Sequence, residues 1–182
     1  MSIVSKFNQT ASEDPNRLFV IFDQIPLTYG QMLAKARAFA AGLNSWGLQK
    51  GDRVALFLDN SPEFITAYLG TGMAGGIVVL VNTQYRQVEL RHILSDAGVR
   101  VCLTDAPRRA ELSRVQAELP DLEAVIVIGS VPVSTSDLAF EQFLRHASSI
   151  SVHLPLPSPD DVAIIGYTSG TTGRAKGAML TH

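Results

Sequence analysis

Hydrophobic positions along this chain fall into two rhythms that take turns, one at helical spacing and one of short unbroken runs. The first helical stretch begins at Thr28, where Thr28-x-x-Gln31 forms a capping box. Met32, Leu33, Ala36, Phe39, Ala40 and Leu43 then share one face until Gly47 stops it. After the Gly51-Asp52 turn, Val54–Leu58 reads as a strand. Ser61 caps a second helix, with Pro62 at its first position and Glu63 near the positive end of its dipole. Ile77–Val81 has the unbroken apolar character of a strand buried on both faces. Leu90, Ile93, Leu94 and Ala97 mark a helix ended by Gly98, and the strand holding Cys102 follows. Ala124–Ile128 repeats the strand pattern after a helix from Pro107 to Leu119, and Phe140, Phe143 and Leu144 face inward on one more helix. The spacing predicts helices near 29–46, 62–72, 87–97, 107–119 and 138–147, and parallel strands near 53–58, 77–81, 99–103 and 124–128. This alternation predicts an α/β fold, a doubly wound, mostly parallel sheet flanked by helices.

Residues 148–161 break the rhythm with three prolines, four serines and two acids, and read as a connector. It leads into a final apolar run, Val162–Tyr167, which reads as a buried strand. The next ten residues, Thr168 to Gly177, carry four hydroxyl side chains, three glycines and one lysine. Such a loop suits a polyphosphate. Glycines let backbone N–H groups converge on an anion, hydroxyls donate further hydrogen bonds, and Lys176 adds a compact positive charge. A segment of this composition is often only a flexible linker. A linker, however, is seldom wedged between an apolar strand and an apolar continuation such as Ala178-Met179-Leu180. The segment is not a Walker loop either, because Ala175 precedes the lysine and Gly177 stands where a Ser or Thr would ligate magnesium.

Length and charge add little. A chain of 182 residues, 46% hydrophobic and 18% charged, can bury one good core. Its net charge of −2 gives no reason to expect nucleic acid as a partner. No run has the length of a transmembrane segment and the start lacks a secretory signal, so the cytoplasm is the default expectation. The single cysteine, Cys102, excludes an internal disulfide and reads as a buried hydrophobe. His92, His146 and His153 lack metal-ligand spacing, and no metal site is expected. Gly70-Thr-Gly-Met-Ala-Gly75 matches the dinucleotide pattern G-x-G-x-x-G, yet it closes a helix and leads into a strand. That is the reverse of what pyrophosphate binding needs, so close packing and a turn explain it better.

Tyr167 to Lys176, extended by Gly177 and Thr181-His182, resembles the signature loop of the adenylate-forming, AMP-binding superfamily: acyl-CoA synthetases, adenylation domains of peptide synthetases and luciferases. Leu27-Thr-Tyr29, Gly51-Asp-Arg-Val-Ala55, Asn60-Ser-Pro62, Gly72–Asn82, Glu89-Leu90 and Ile93-Leu94, in that order, are similar to the amino-terminal part of acyl-CoA synthetases. The resemblance implies that residues 1–182 are an amino-terminal fragment of the AMP-binding domain, with the phosphate loop at 167–177 and the connector at 148–161. It implies ATP, Mg2+ and coenzyme A as cofactors and a small-molecule carboxylic acid as substrate. Thr168, Ser169, Thr171 and Thr172 would donate hydroxyls to the β- and γ-phosphates, Gly170 and Gly173 would let the backbone close in, and Lys176 would act catalytically on departing pyrophosphate. Arg174 and Ala175 would point outward at the loop tip. His182 would lie near the acyl substrate and nucleotide, where a helix should begin.

The implied reaction is acyl-adenylate formation followed by thioester formation with coenzyme A in the full-length protein, the fragment alone being inactive. Two alternatives stay open: a non-enzymatic nucleotide- or partner-binding module on the same fold, and an adenylation domain that loads a carrier protein. Asn82–Arg86 leans toward a fatty or other small organic acid. The flank where further sheet should pack would favour self-association, which leaves room for a homo-oligomer.

Overall fold

The computed structural model describes residues 1–129, 137–147, 154, 157–168 and 174–182. In chain order its elements are α1 (Ile3–Glu13), β1 (Leu18–Phe22), β2 (Ile25–Thr28), α2 (Tyr29–Trp46), β3 (Arg53–Phe57), α3 (Pro62–Met73), β4 (Ile77–Leu80) and α4 (Gln87–Asp96). They continue with β5 (Val99–Asp105), α5 (Ala106–Ser113), β6 (Ala124–Ile128), β7 (Asp137–Ala139), α6 (Phe140–Ala147), β8 (Val162–Thr168) and β9 (Lys176–Thr181). Seven strands form one sheet in the order β7-β6-β5-β3-β4-β8-β9, and β1 and β2 form a separate antiparallel hairpin. Every neighbouring pair in the large sheet is parallel except β8 with β9.

Alternate residues of the inner strands feed two cores. Val54, Leu56, Val78, Val101, Leu103 and Ile126 face α1, α2, α3 and α6. Ala55, Phe57, Val79, Cys102, Val125 and Val127 face the layer of α4 and α5. Burial on both faces is why these strands read as continuous apolar runs rather than alternating ones. Cys102 is fully buried and burial pushes its thiol up to about 12, so it behaves as a hydrophobe.

Local chemistry sets the helix ends. The Thr28 hydroxyl accepts from Gln31 N–H at 3.2 Å while the Gln31 side chain accepts from Thr28 N–H at 2.9 Å, completing the capping box. Gly47 ends α2 with φ of 103°, and Ser61 caps α3 with Pro62 at its first turn. The Gly70–Gly75 pattern closes α3 as expected. A Cβ on Gly70 would stand 2.7 Å from the Ala36 carbonyl oxygen, so this glycine permits α3 to press on α2.

Five elements depart from the sequence expectation. Helix α1 went unassigned although Val4, Phe7 and Ala11 are buried at helical spacing behind a Ser2 cap. The β1–β2 hairpin is short and half exposed, which blurs its alternation. The helix expected over 107–119 stops at Ser113 and tightens into a 3-10 turn at Gln116–Glu118. Leu112, Val115 and Leu119 are all buried, so the apolar period runs on across the break. Residues 137–139, the last two expected to open a helix, pair with β6 instead, and Asp137 there takes the buried guanidinium of Arg109 at 2.9 Å. Finally, Lys176–Thr181 is a strand antiparallel to β8. Most of the expected connector, together with Ser169–Gly173 of the phosphate loop, lies outside the described residues.

Candidate active site

Strands β3, β4 and β8 end side by side, and the chain leaves β3 and β4 on opposite faces of the sheet. Helix α3 follows β3 into one layer and α4 follows β4 into the other. Open α/β sheets bind ligands in the crevice outside the carboxyl ends of strands that diverge in this way. A cavity of about 600 Å3 occupies that position, with Leu58, Asn60, Val81, Asn82, Gly166 and Thr168 among its walls. Its floor is open at Gly166, where an added Cβ would meet nothing within 4 Å. Its lower wall is apolar, from Leu56, Phe64, Leu80 and Leu180, and its rim is polar, an arrangement common to small-molecule sites.

The β8–β9 hairpin carries the signature segment to this rim. Thr168 is the last residue of β8, Lys176 the first of β9, and the two are cross-strand partners. The last residue of β8 and the first of β9 therefore stand together at one point of the sheet. Lys176 is exposed and its ammonium is free to meet a ligand charge. Gly177 is needed for close approach: a Cβ there would lie 2.8 Å from the Ile165 side chain and 3.2 Å from the Tyr167 ring. Of the expected phosphate-binding set, Thr168 and Lys176 are thus adjacent, while Ser169, Gly170, Thr171, Thr172 and Gly173 fall outside the described residues.

At its loop end the hairpin rests on α4 from both arms. Tyr167 donates its phenolic hydrogen to the Asp96 carboxylate at 2.6 Å. His92 Nε2 lies 2.8 Å from the carbonyl oxygen of Ala175, and its ring stands edge-on to Tyr167 with centroids 6.2 Å apart. Burial first, and the Asp96 carboxylate next, push the Tyr167 phenol well above the ordinary tyrosine range, so it stays a donor. The sequence gives His92 no role beyond its lack of metal-ligand spacing and expects Ala175 to point outward; the structure joins the two. Sequence alone held a partial signal, because His92 and Asp96 are four apart and share one face of a helix.

His182 is not brought to this crevice. It follows the far end of β9, on the order of 20 Å from Lys176 at about 3.3 Å per residue. There its backbone N–H donates to Asp161 at 3.2 Å, and its ring lines a separate crevice with Met1, Ser2, Phe7 and Tyr29. Burial draws its imidazole below the ordinary range, against an opposing pull from Asp161, and Nδ1 is buried without a hydrogen-bond partner. Among the described residues no group of three or more acidic, histidine or cysteine side chains could hold a metal ion. Nor is any described helix long and apolar enough to cross a membrane.

A family profile described as AMP-binding enzyme matches residues 7–182. Among characterised proteins, 3-hydroxybenzoate–CoA/4-hydroxybenzoate–CoA ligase of Thauera aromatica is 34% identical over 158 residues, covering 86% of this chain and 30% of its own length. Long-chain-fatty-acid–CoA ligase of Bacillus subtilis is 32% identical over 204 residues, covering all of this chain and 36% of its own. The chain therefore spans about a third of the length of these relatives. In three dimensions it superposes on the anthranilate CoA ligase AuaEII, solved with anthranoyl-AMP, with a TM-score of 0.92 over the whole of this chain and 35% of that one. At 24% identity that likeness speaks to the fold alone.

Proposed function

The chain belongs to the family of AMP-binding enzymes, and from that premise we propose that it serves a ligase which activates a carboxylic acid with ATP and transfers the acyl group to coenzyme A. The observation that supports this reading best is the register of the β8–β9 hairpin, which sets Lys176 directly across from Thr168, a residue of the β3–β4–β8 crevice wall. A carboxylate is a poor electrophile. In the first half-reaction one of its oxygens attacks the α-phosphorus of ATP, the bond to the bridging oxygen breaks, and pyrophosphate leaves with the electron pair. Negative charge grows on that leaving group, where a fixed ammonium and hydroxyl donors lower the barrier most. Thr168 and Lys176 are assigned to it, with Ser169, Thr171 and Thr172 as further donors and Gly170 and Gly173 as points of close backbone approach. In the second half-reaction the sulfur of coenzyme A attacks the acyl carbon, AMP departs, and the thiol proton is released to solvent. Magnesium, when bound with ATP, would neutralise phosphate charge.

The acid is an organic acid of a kind the crevice admits. The two relatives above take their names from hydroxybenzoates and from long-chain fatty acids, so a fatty acid is one of several classes in view. Residues 1–182 are assigned to the amino-terminal part of the AMP-binding domain, with cytoplasmic substrates. The test is a panel of aromatic, short-chain and long-chain acids offered to the intact protein with ATP and hydroxylamine, which traps an acyl-adenylate as the hydroxamate. Hydroxamate from at least one acid, replaced by thioester when coenzyme A is added, is the expected result. Nucleotide binding with no hydroxamate from any acid would instead indicate a binding module. Adenylate that forms but transfers only to a carrier protein would correct the acceptor.

A further inference from the structure

Helix α4 touches both arms of the signature hairpin at its loop end and is itself fixed at both of its own ends. At its start, the Glu89 side chain accepts from Arg86 N–H at 3.1 Å. At its finish, Arg53 from β3 donates to the carbonyl oxygens of Ala97 and Gly98, each at 2.6 Å. Those bonds satisfy carbonyls that a helix terminus leaves open and tie α4 to the middle of the sheet. Leu90, Ile93 and Leu94 are buried beneath it. On its outer face, one turn apart, stand His92 and Asp96. Asp96 holds Tyr167, the residue before Thr168, and His92 holds the carbonyl of Ala175, the residue before Lys176. Each contact thus acts one residue away from a group assigned to phosphate.

We propose that His92 and Asp96 are positioning residues for adenylation, two side chains of α4 that clamp the entry and exit of the phosphate loop and so fix where Thr168 and Lys176 point. The proposal rests on the functional reading above for its catalytic consequence and on geometry alone for the clamp. A donor displaced by about 1 Å can cost on the order of a hundredfold in rate, so the clamp matters even though neither residue reaches the crevice. For His92 the contact requires the tautomer with hydrogen on Nε2, because a carbonyl only accepts. Glutamine keeps an N–H donor at similar reach, and alanine has none.

Two readouts test the proposal on His92→Ala, His92→Gln and Asp96→Ala. The first is trypsin cleavage after Arg174, an exposed site, followed by mass spectrometry under native conditions. Release of the Ala175 carbonyl in His92→Ala should raise the cleavage rate about tenfold, since proteolysis follows the open population, and His92→Gln should restore it. The second is ATP–pyrophosphate exchange by the intact protein. His92→Ala and Asp96→Ala should each lower kcat about tenfold or more with the KM for the acid unchanged, as expected when an interaction acts only in the transition state, and His92→Gln should recover most of the loss. Unaltered cleavage and unaltered kcat in both alanine variants would overturn the clamp, whatever Lys176 does. If His92→Ala frees the loop to trypsin while Lys176→Ala leaves exchange intact, the clamp stands and the functional reading falls.

Discussion

Lys176 is the residue on which the proposed chemistry turns. It stands at the foot of β9, across from Thr168, with its side chain exposed. Its ammonium is a compact charge suited to a terminal phosphate. Replacing it by alanine in the intact protein should lower ATP–pyrophosphate exchange by about 10²–10³, the cost typical of losing one fixed donor at a developing anion. The KM for the acid should hardly move, because the lysine is assigned to the departing pyrophosphate and not to the acid. Steady-state exchange for both proteins measures it, and an unchanged rate would remove Lys176 from the site. Arginine is not a conservative replacement here, since its planar fork presents charge in another geometry.

Elements carry the packing that lets such a residue be placed. Gly70 faces the Ala36 carbonyl and the Phe39 side chain, and an added Cβ would sit 2.7 and 2.9 Å from them. Gly70→Val should therefore destabilise the protein by about 1–3 kcal/mol, the usual cost of overpacking. A fall in the urea midpoint with an unchanged slope would register it, and wild-type stability would contradict the close α2–α3 contact. Asp137 joins β7 to α5 through Arg109, both side chains being almost wholly buried. Asp137→Ala leaves that guanidinium without its carboxylate and should cost about 3–5 kcal/mol. The same denaturation series reads it.

Much of this element pattern was legible in the chain itself. Thr28, Gly47, Ser61 and Pro62 announce helix ends through local chemistry, and Val78, Val79, Ile126 and Val127 announce strands buried on both faces. What was hidden depends on partners far away in sequence. Asp137–Ala139 is a strand because β6 offers it an edge, and an acidic residue could be buried there only because Arg109 arrives from α5. Lys176–Thr181 is a strand because β8 lies beside it; its six residues are all exposed, so no burial pattern marked them. The candidate site divides the same way. The residues proposed to meet phosphate stand together in one short stretch of sequence, most of it outside the described residues, whereas His92 and Asp96 lie 83 and 71 residues before the contacts they make.

Across the whole molecule, the doubly wound sheet offers one candidate site and leaves one edge open. The candidate site is at the carboxyl ends of β3, β4 and β8, where divergent connections create the crevice and the hairpin brings Thr168 to its wall with Lys176 opposite. The open one is β9, with Met179 and Leu180 71% and 55% exposed. An edge strand with exposed apolar side chains is a template for pairing. Residues 1–182 alone should self-associate as concentration rises, which sedimentation velocity would detect; a monomer at all concentrations would contradict it. The measurement closest to the central claim is carboxylic-acid-dependent ATP–pyrophosphate exchange by the intact protein. The account predicts exchange with at least one acid of the panel, abolished or nearly so in Lys176→Ala. Tight ATP binding with no exchange for any acid would contradict it.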